Sequence, residues 1–393
     1  MRNLLTASAL VSCLGVVVAL QACAKDTRTS GFDEVDGGSD ANADGPTTGF
    51  ESRDSGGSDA NNLTDPLKGC ATNESETIKS PAFFEFVVDR SGSMSGTKWT
   101  AAQQSIQGVV DQAFTAAETN VGMGLILFPG DSGDSGPYPD GSGKDPFPNF
   151  VDATQRNALK ARVSGNTTGG TPTLEALTAA YNVIENLIPL PPLPKEGKKV
   201  VVLMTDGVPN SNPSNAIQNM AAAKLAMGGP KGPVYTYVVG IGNLSGSGGF
   251  DVDPRFLGSV AQAGGTGPKG CDPNEMTNPD KMCHYHIQPG SKTAAQLADD
   301  MTKAFNRIRA QATACEVSLA TDEAKADPSS VNVVIVDENG KVTIIKQDPV
   351  DGWTYDDPGN PTKVLLHGKA CEDAVQNLLG KVKVVFGCKT IAK

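Results

Sequence analysis

Between about residues 81 and 313 the apolar positions of this chain alternate between two rhythms. Ala82 to Asp89 (AFFEFVVD) is a near-continuous apolar run bounded by Pro81 and a Ser/Gly cluster, the pattern of a short strand buried on both faces. Lys98 to Ala117 then places Ile106, Val109, Val110, Ala113 and Phe114 at helical spacing. Strand-like runs return at Val121 to Phe128, Val200 to Thr205 and Val234 to Ile241. Helical stretches separate and follow them, around Thr154 to Val163, Thr173 to Leu187, Ser214 to Met227, Pro254 to Ala263 and Lys292 to Thr313. Strands alternating with helices predict an α/β domain with a doubly wound, mostly parallel sheet covered on both faces. Two stretches break the rhythm: a Gly/Pro/Asp-rich loop from Pro129 to Asn149, and an insertion at 266–290 that holds Cys271 and Cys283.

From Cys315 onward helical patterns nearly vanish. Val331 to Val336, Lys341 to Ile345, Lys363 to Leu366 and Lys381 to Phe386 read as strands joined by turns, with one short helix near Cys371 to Leu379. The expected organisation is an α/β domain at 70–314 and a small C-terminal β-rich domain at 315–393. Residues 23–69 are Gly, Ser, Asp, Asn and Thr with few apolar groups, too little to offset ordering entropy, and are read as an acidic flexible tether. Within it Asp40, Asn42, Asp44, Gly45 and Glu51 have the spacing of a calcium loop, but no amphipathic helix flanks them and the motif lacks its context.

The first residues carry the marks of a targeting segment: Arg2, an apolar stretch from Leu10 to Leu20, and Leu20-Gln21-Ala22-Cys23 with a small residue before a cysteine. This resembles the lipobox of bacterial lipoproteins, although Gln21 is a less usual choice at its position. The resemblance implies a signal peptide at 1–22, acylation of Cys23 and attachment to a membrane by that lipid. Ala24 stands where Asp would retain such a protein at the inner membrane, so outer-membrane placement is expected. Ordinary secretory cleavage with unmodified Cys23 is the alternative, and it too exports the chain. The apolar stretch is shorter than the roughly 20 residues a spanning helix needs.

Export makes disulfides the natural state of cysteine. Setting aside Cys13 and Cys23 leaves Cys70, Cys271, Cys283, Cys315, Cys371 and Cys388, an even set that suggests three bonds. Cys271 with Cys283 closes the local insertion, and Cys371 with Cys388 would staple the β-rich domain. The net charge of -11, with no basic stripe, excludes the electrostatic footprint of a nucleic-acid binder.

Directly after the first strand comes Asp89-Arg90-Ser91-Gly92-Ser93-Met94, at the carboxyl end where loops of an α/β sheet converge. Gly169-Gly170-Thr171-Pro172-Thr173 and Leu203-Met204-Thr205-Asp206-Gly207 follow in order, each beside a predicted strand or helix end. Together they resemble the metal-ion-dependent adhesion site of the von Willebrand factor A (vWA) family, a Rossmann-like fold. That resemblance, which covers about Pro81 to Thr313, implies Asp89, Ser91, Ser93, Thr171 and Asp206 as the shell of one divalent cation, Mg²⁺ first, with Mn²⁺ or Ca²⁺ as alternatives. Hard cations of this kind favour oxygen ligands. Hydroxyls do not cancel the ion's charge, so an Asp or Glu carboxylate from a protein ligand can complete its coordination. The domain's ends should lie close together in this family, so Cys70 with Cys315 would clamp its base; exchange among Cys70, Cys315, Cys371 and Cys388 stays open.

Nothing in the chain reads as an enzyme. His284 and His286 form a His-x-His pair without further clustered ligands, Cys283 is better read as a disulfide partner, and His367 stands alone. Gly141-Ser142-Gly143-Lys144 departs from a phosphate loop at Tyr138 and Asp145. Ile188 to Lys195 (IPLPPLPK) contains Pro-x-x-Pro but is read as a stiff surface connection. The functional expectation is a cation-dependent adhesion or assembly protein on the cell surface. The alternative is an envelope-organising lipoprotein in which the same domain is a scaffold and the cation only stabilises it.

Overall fold

The computed structural model describes residues 67–68, 73–76, 78–131, 136, 138, 144–210, 213–244, 252–319, 327–337, 339–376 and 381–393. The signal segment with Cys23, the tether with its calcium-like pattern, Cys70 and Gly141 to Gly143 lie outside them.

The central strand, β3 (Ala82–Asp89), buries all eight of its residues. Its side chains alternate between two apolar layers, as a strand covered on both faces requires. Phe84, Phe86 and Val88 enter one layer, and Phe83 and Val87 the other. The sheet runs β5 (Asn149–Phe150), β4 (Val121–Phe128), β3, β6 (Lys198–Thr205), β7 (Val234–Ile241) and β8 (Tyr285–Ile287). All neighbours pair in parallel except β5, which closes one edge antiparallel to β4. Helices α1 (Thr97–Ala116), α2 (Ala153–Val163) and α6 (Ala294–Ala314) cover one face. Helices α3 (Thr173–Glu185), α4 (Ser214–Leu225) and α5 (Pro254–Ala263) cover the other. This is the doubly wound fold the alternating rhythm predicts. The Pro-rich tract connects α3 to β6 with Ile188 and Leu190 exposed.

The stretch 266–290 is more than an insertion, because it ends in β8, which extends the parallel sheet. Asp253 caps α5 by accepting from the Arg255 and Phe256 amides, and Thr293 with Gln296 forms a capping box on α6.

The β-rich part differs from the expected 315–393 block. One antiparallel sheet runs β1 (Asn73–Glu76), β14 (Lys381–Phe386), β10 (Val331–Val336), β11 (Val342–Ile345); the other runs β12 (Trp353–Tyr355), β13 (Lys363–Leu366), β9 (Glu316–Ser318), β2 (Ile78–Lys79). Strands β1 and β2 precede the α/β body in the chain, so the body is inserted between two halves of the β-rich part. Val317, Val333, Trp353, Val364 and Phe386 share its core with Ala310 and Ala314 from the end of α6.

Two disulfides join described residues. Cys271–Cys283 closes the loop before β8 as the spacing predicts. Cys315 bonds Cys371, at a sequence separation of 56, which corrects both Cys70–Cys315 and Cys371–Cys388. The reason is packing: α7 (Gly368–Gln376) lies against α6, bringing Cys371 beside the residue that ends it. Cys388 is also disulfide-bonded. No helix among the described residues is long and apolar enough to cross a membrane.

Candidate metal centre

The connections after β3 and β6 leave these adjacent strands toward opposite faces, α1 to one and α4 to the other. Their carboxyl ends therefore border a crevice, the place where open α/β sheets bind ligands. Asp89 is the last residue of β3, and Asp206 follows the last residue of β6.

Asp89 is fully buried. Its Oδ1 accepts the Ser91 amide at 2.7 Å and its Oδ2 accepts the Thr205 hydroxyl at 2.5 Å. Burial pushes its pKa up to about 7; the Asp206 charge adds to this, and the bonds from Thr205 and Ser91 oppose it. Across the crevice the Ser93 hydroxyl donates to Asp206 Oδ1 at 2.8 Å and stands 3.0 Å from the Ser91 hydroxyl. Either hydroxyl can be the donor in that second bond. The other oxygen of Asp206 meets the ammonium of Lys98, the second residue of α1. Thr171 is buried at the rim. A Cβ placed on Gly207 would stand 3.4 Å from Thr171 Oγ1 and 3.8 Å from Ser93 Oγ, so both hydroxyls face the same small space.

Three loops separated by many residues hold this register through backbone bonds. The Gly92 amide donates to Gly169 O at 3.1 Å and the Thr168 amide to Arg90 O at 2.8 Å. Gly169 adopts φ +62°, the left-handed region that suits glycine. The Asn210 amide donates to Thr171 O at 2.9 Å, and Asn210 Oδ1 accepts the Thr171 amide at 3.0 Å. Asp89, Ser91, Ser93, Thr171 and Asp206 are thus brought to one crevice. Thr205, Asn210 and Lys98 join them without having been singled out: Thr205 was legible only as part of its motif, Lys98 only as the start of a helical run, and Asn210 gave no signal.

The donor set fits a hard divalent cation. It is all oxygen, with hydroxyls outnumbering carboxylates, and its two acidic side chains outnumber the one ammonium that touches them. No group of three or more His, Cys, Asp or Glu positioned for a metal occurs among the described residues, so an ion in the crevice would depend on the hydroxyls. Arg90, next to Asp89 in the chain, turns away. Its Nε donates to Pro129 O at 2.8 Å and its Nη2 pairs with Asp131 at 2.5 Å. Asp131 also binds Lys144 and Arg162, and these cations hold its pKa well below the carboxylate range. His284 and His286 lie elsewhere, on β8 and the residue before it; their ring nitrogens approach to 3.2 Å, and His286 Nε2 bonds Gly242 O at 3.0 Å.

Residues 85–265 match the family model for the von Willebrand factor type A domain, so the body of the sheet with its crevice is a domain of that type. No curated protein sequence matches the chain. Among solved structures, the pilus adhesin SpaC of Lactobacillus rhamnosus GG is similar at 13% identity and a TM-score of 0.42, covering 80% of this chain and 40% of its own. The chain thus spans about two fifths of that adhesin's length. The vWF domain of the type V pili tip protein Mfa5 of Porphyromonas gingivalis is 12% identical, covering 58% of this chain and 96% of its own, with a TM-score of 0.34. The manganese-loaded TRAP protein of Plasmodium vivax is 20% identical, covering 58% of this chain and 76% of its own, with a TM-score of 0.32.

Proposed function

We propose that the chain is an exported binding protein, lipid-anchored through Cys23 at the outer membrane, that grips a protein partner at the crevice between β3 and β6. Asp89, Ser91, Ser93, Thr171 and Asp206 hold one divalent cation there, Mg²⁺ or Mn²⁺ before Ca²⁺. When bound, the cation supplies a Lewis-acidic position for a carboxylate oxygen of an Asp or Glu on the partner. The chain's own residues do the rest. Thr205 and the Ser91 amide fix the Asp89 carboxylate, the Gly92–Gly169 bond holds the first loop to the second, and Asn210 holds the second to the third. The partner is recognised rather than cleaved.

One observation carries this reading. Two buried carboxylates at adjacent strand ends, linked by a relay of serine hydroxyls, have less positive charge around them than burial of two anions calls for. Calorimetric titration of the mature chain with Mg²⁺ and Mn²⁺ tests it. One equivalent is expected to bind, and Asp89→Ala or Asp206→Ala is expected to weaken binding at least a hundredfold, about 2.7 kcal/mol. Unchanged affinity in both variants would overturn the reading. Capture of envelope proteins that disappears with chelator would extend it to the partner.

A further inference from the structure

The crevice already contains a cation of its own. Lys98 sets its ammonium against one oxygen of Asp206 while Ser93 occupies the other. The Asp206 side chain is fully buried and that of Lys98 is 21% exposed, so the ammonium reaches in from the rim. Arg90 gives no help, being committed to Pro129 O and Asp131. Among the described residues Lys98 is the cationic side chain that touches either crevice carboxylate.

Its position on the helix points the same way. The first turn of α1 contains no acidic residue and Lys98 sits in it, where the helix dipole disfavours a positive charge. Local helix energetics therefore do not account for the lysine, whereas the carboxylate across the crevice does.

We propose that Lys98 is an internal counter-ion, which neutralises Asp206 in the cation-free protein and yields when a divalent ion arrives, and so sets the affinity of the site. This rests on the cation reading above. A lysine suits such a role because its charge is compact and strongly hydrated, on a flexible four-carbon stem that can swing to water. The repulsion between an ammonium at Asp206 and a doubly charged ion in the same crevice scales with their proximity. Neutralising Lys98 must then push the two states in opposite directions. The cation-free protein loses the partner of a buried carboxylate and is destabilised. The cation-bound protein is relieved of repulsion and binds its ion more tightly. A lysine that merely packed would, on removal, weaken both.

The test compares wild type, Lys98→Met and the charge-keeping Lys98→Arg in the mature chain. Melting temperature is read in chelator and Mn²⁺ affinity by calorimetry. Lys98→Met is expected to melt lower than wild type in chelator and yet to bind Mn²⁺ about tenfold more tightly, with Lys98→Arg near wild type in both. Binding by Lys98→Met where wild type shows none would support the proposal more strongly. If wild type binds Mn²⁺ and Lys98→Met binds it equally or less well, the counter-ion role is wrong while the cation site stands. An unchanged melting temperature in chelator also overturns that role. If neither protein binds the ion, the cation reading falls and the proposal with it.

Discussion

Two charged clusters, one partly exposed and one buried, meet at the peptide joining Asp89 to Arg90, and they are resolved in opposite ways. Beyond Arg90, two aspartates face three cations: Asp131 is bound by Arg90, Lys144 and Arg162, and Asp145 by Arg162 Nε at 2.5 Å. Behind Asp89, two aspartates face one lysine, and hydroxyls take up the remaining contacts. The aspartates of the first cluster find their counter-charge within the chain and pin the loop after β4 to α2, while Glu85 beside Asp145 is buried with neither carboxyl oxygen hydrogen-bonded. The second leaves negative charge unmatched at the mouth of a crevice. Burial of charge alone does not tell the two clusters apart; the balance of counter-charge does.

The largest expected effect lies in the first cluster. Arg162→Met removes the guanidinium paired with Asp145, whose side chain is 1% exposed, and should cost about 3–5 kcal/mol, read as a fall in melting temperature of roughly 10 °C. Mn²⁺ affinity should shift less than threefold, and loss of cation binding would break the distinction between the clusters.

A third buried polar group sharpens the contrast because it carries no charge at neutral pH. Burial lowers the pKa of His284 to about 3 and of His286 to about 4. The unfolded chain therefore takes up more protons between about pH 4 and 6.5, and the pair's contribution to stability falls on acidification through that window. The loss from pH 7 to pH 5 should be on the order of 2 kcal/mol for each imidazole, about 4 kcal/mol for the pair. Glu85 and Asp89, whose pKa values burial raises, pull the other way. The informative quantity is thus the difference in denaturant stability between wild type and the His284→Gln, His286→Gln double variant at each pH. Equal pH dependence in the two proteins would show that the imidazoles are not held neutral.

The smallest effect is expected at Gly169. Alanine there must adopt φ near +62°, at a cost of about 1 kcal/mol, and should weaken Mn²⁺ binding severalfold by loosening the tie to Gly92. Unaltered binding would mean that the loop register does not govern the crevice.

The α/β body was legible because its signals are local. The apolar run of β3 and the helical run of α5 have the bounds read from sequence, Ala82–Asp89 and Pro254–Ala263. The five oxygen-bearing residues were readable as three motifs at strand and helix ends. What escaped is set by partners distant in sequence. Strand β8 is three residues, Tyr-His-Ile, defined by its pairing with β7. Strands β1 (Asn-Glu-Ser-Glu) and β2 (Ile-Lys) are too short and polar to announce themselves. The Cys315–Cys371 bond follows from how α7 docks on α6, which spacing does not encode. Lys98 and Asn210 escaped for the same reason, since each acquires its role from a residue on another loop.

The insertion of the α/β body between β2 and β9 dictates an order of assembly. Asn73–Glu76 pairs with Val384, Val385 and their neighbours near the far end of the sequence, so this strand has no partner until the whole intervening stretch has condensed. Closing so long a loop as an open coil is entropically costly. A folded body removes most of that cost by holding Ile78–Lys79 beside Glu316–Ser318. Until then a bare strand edge waits in the nascent molecule.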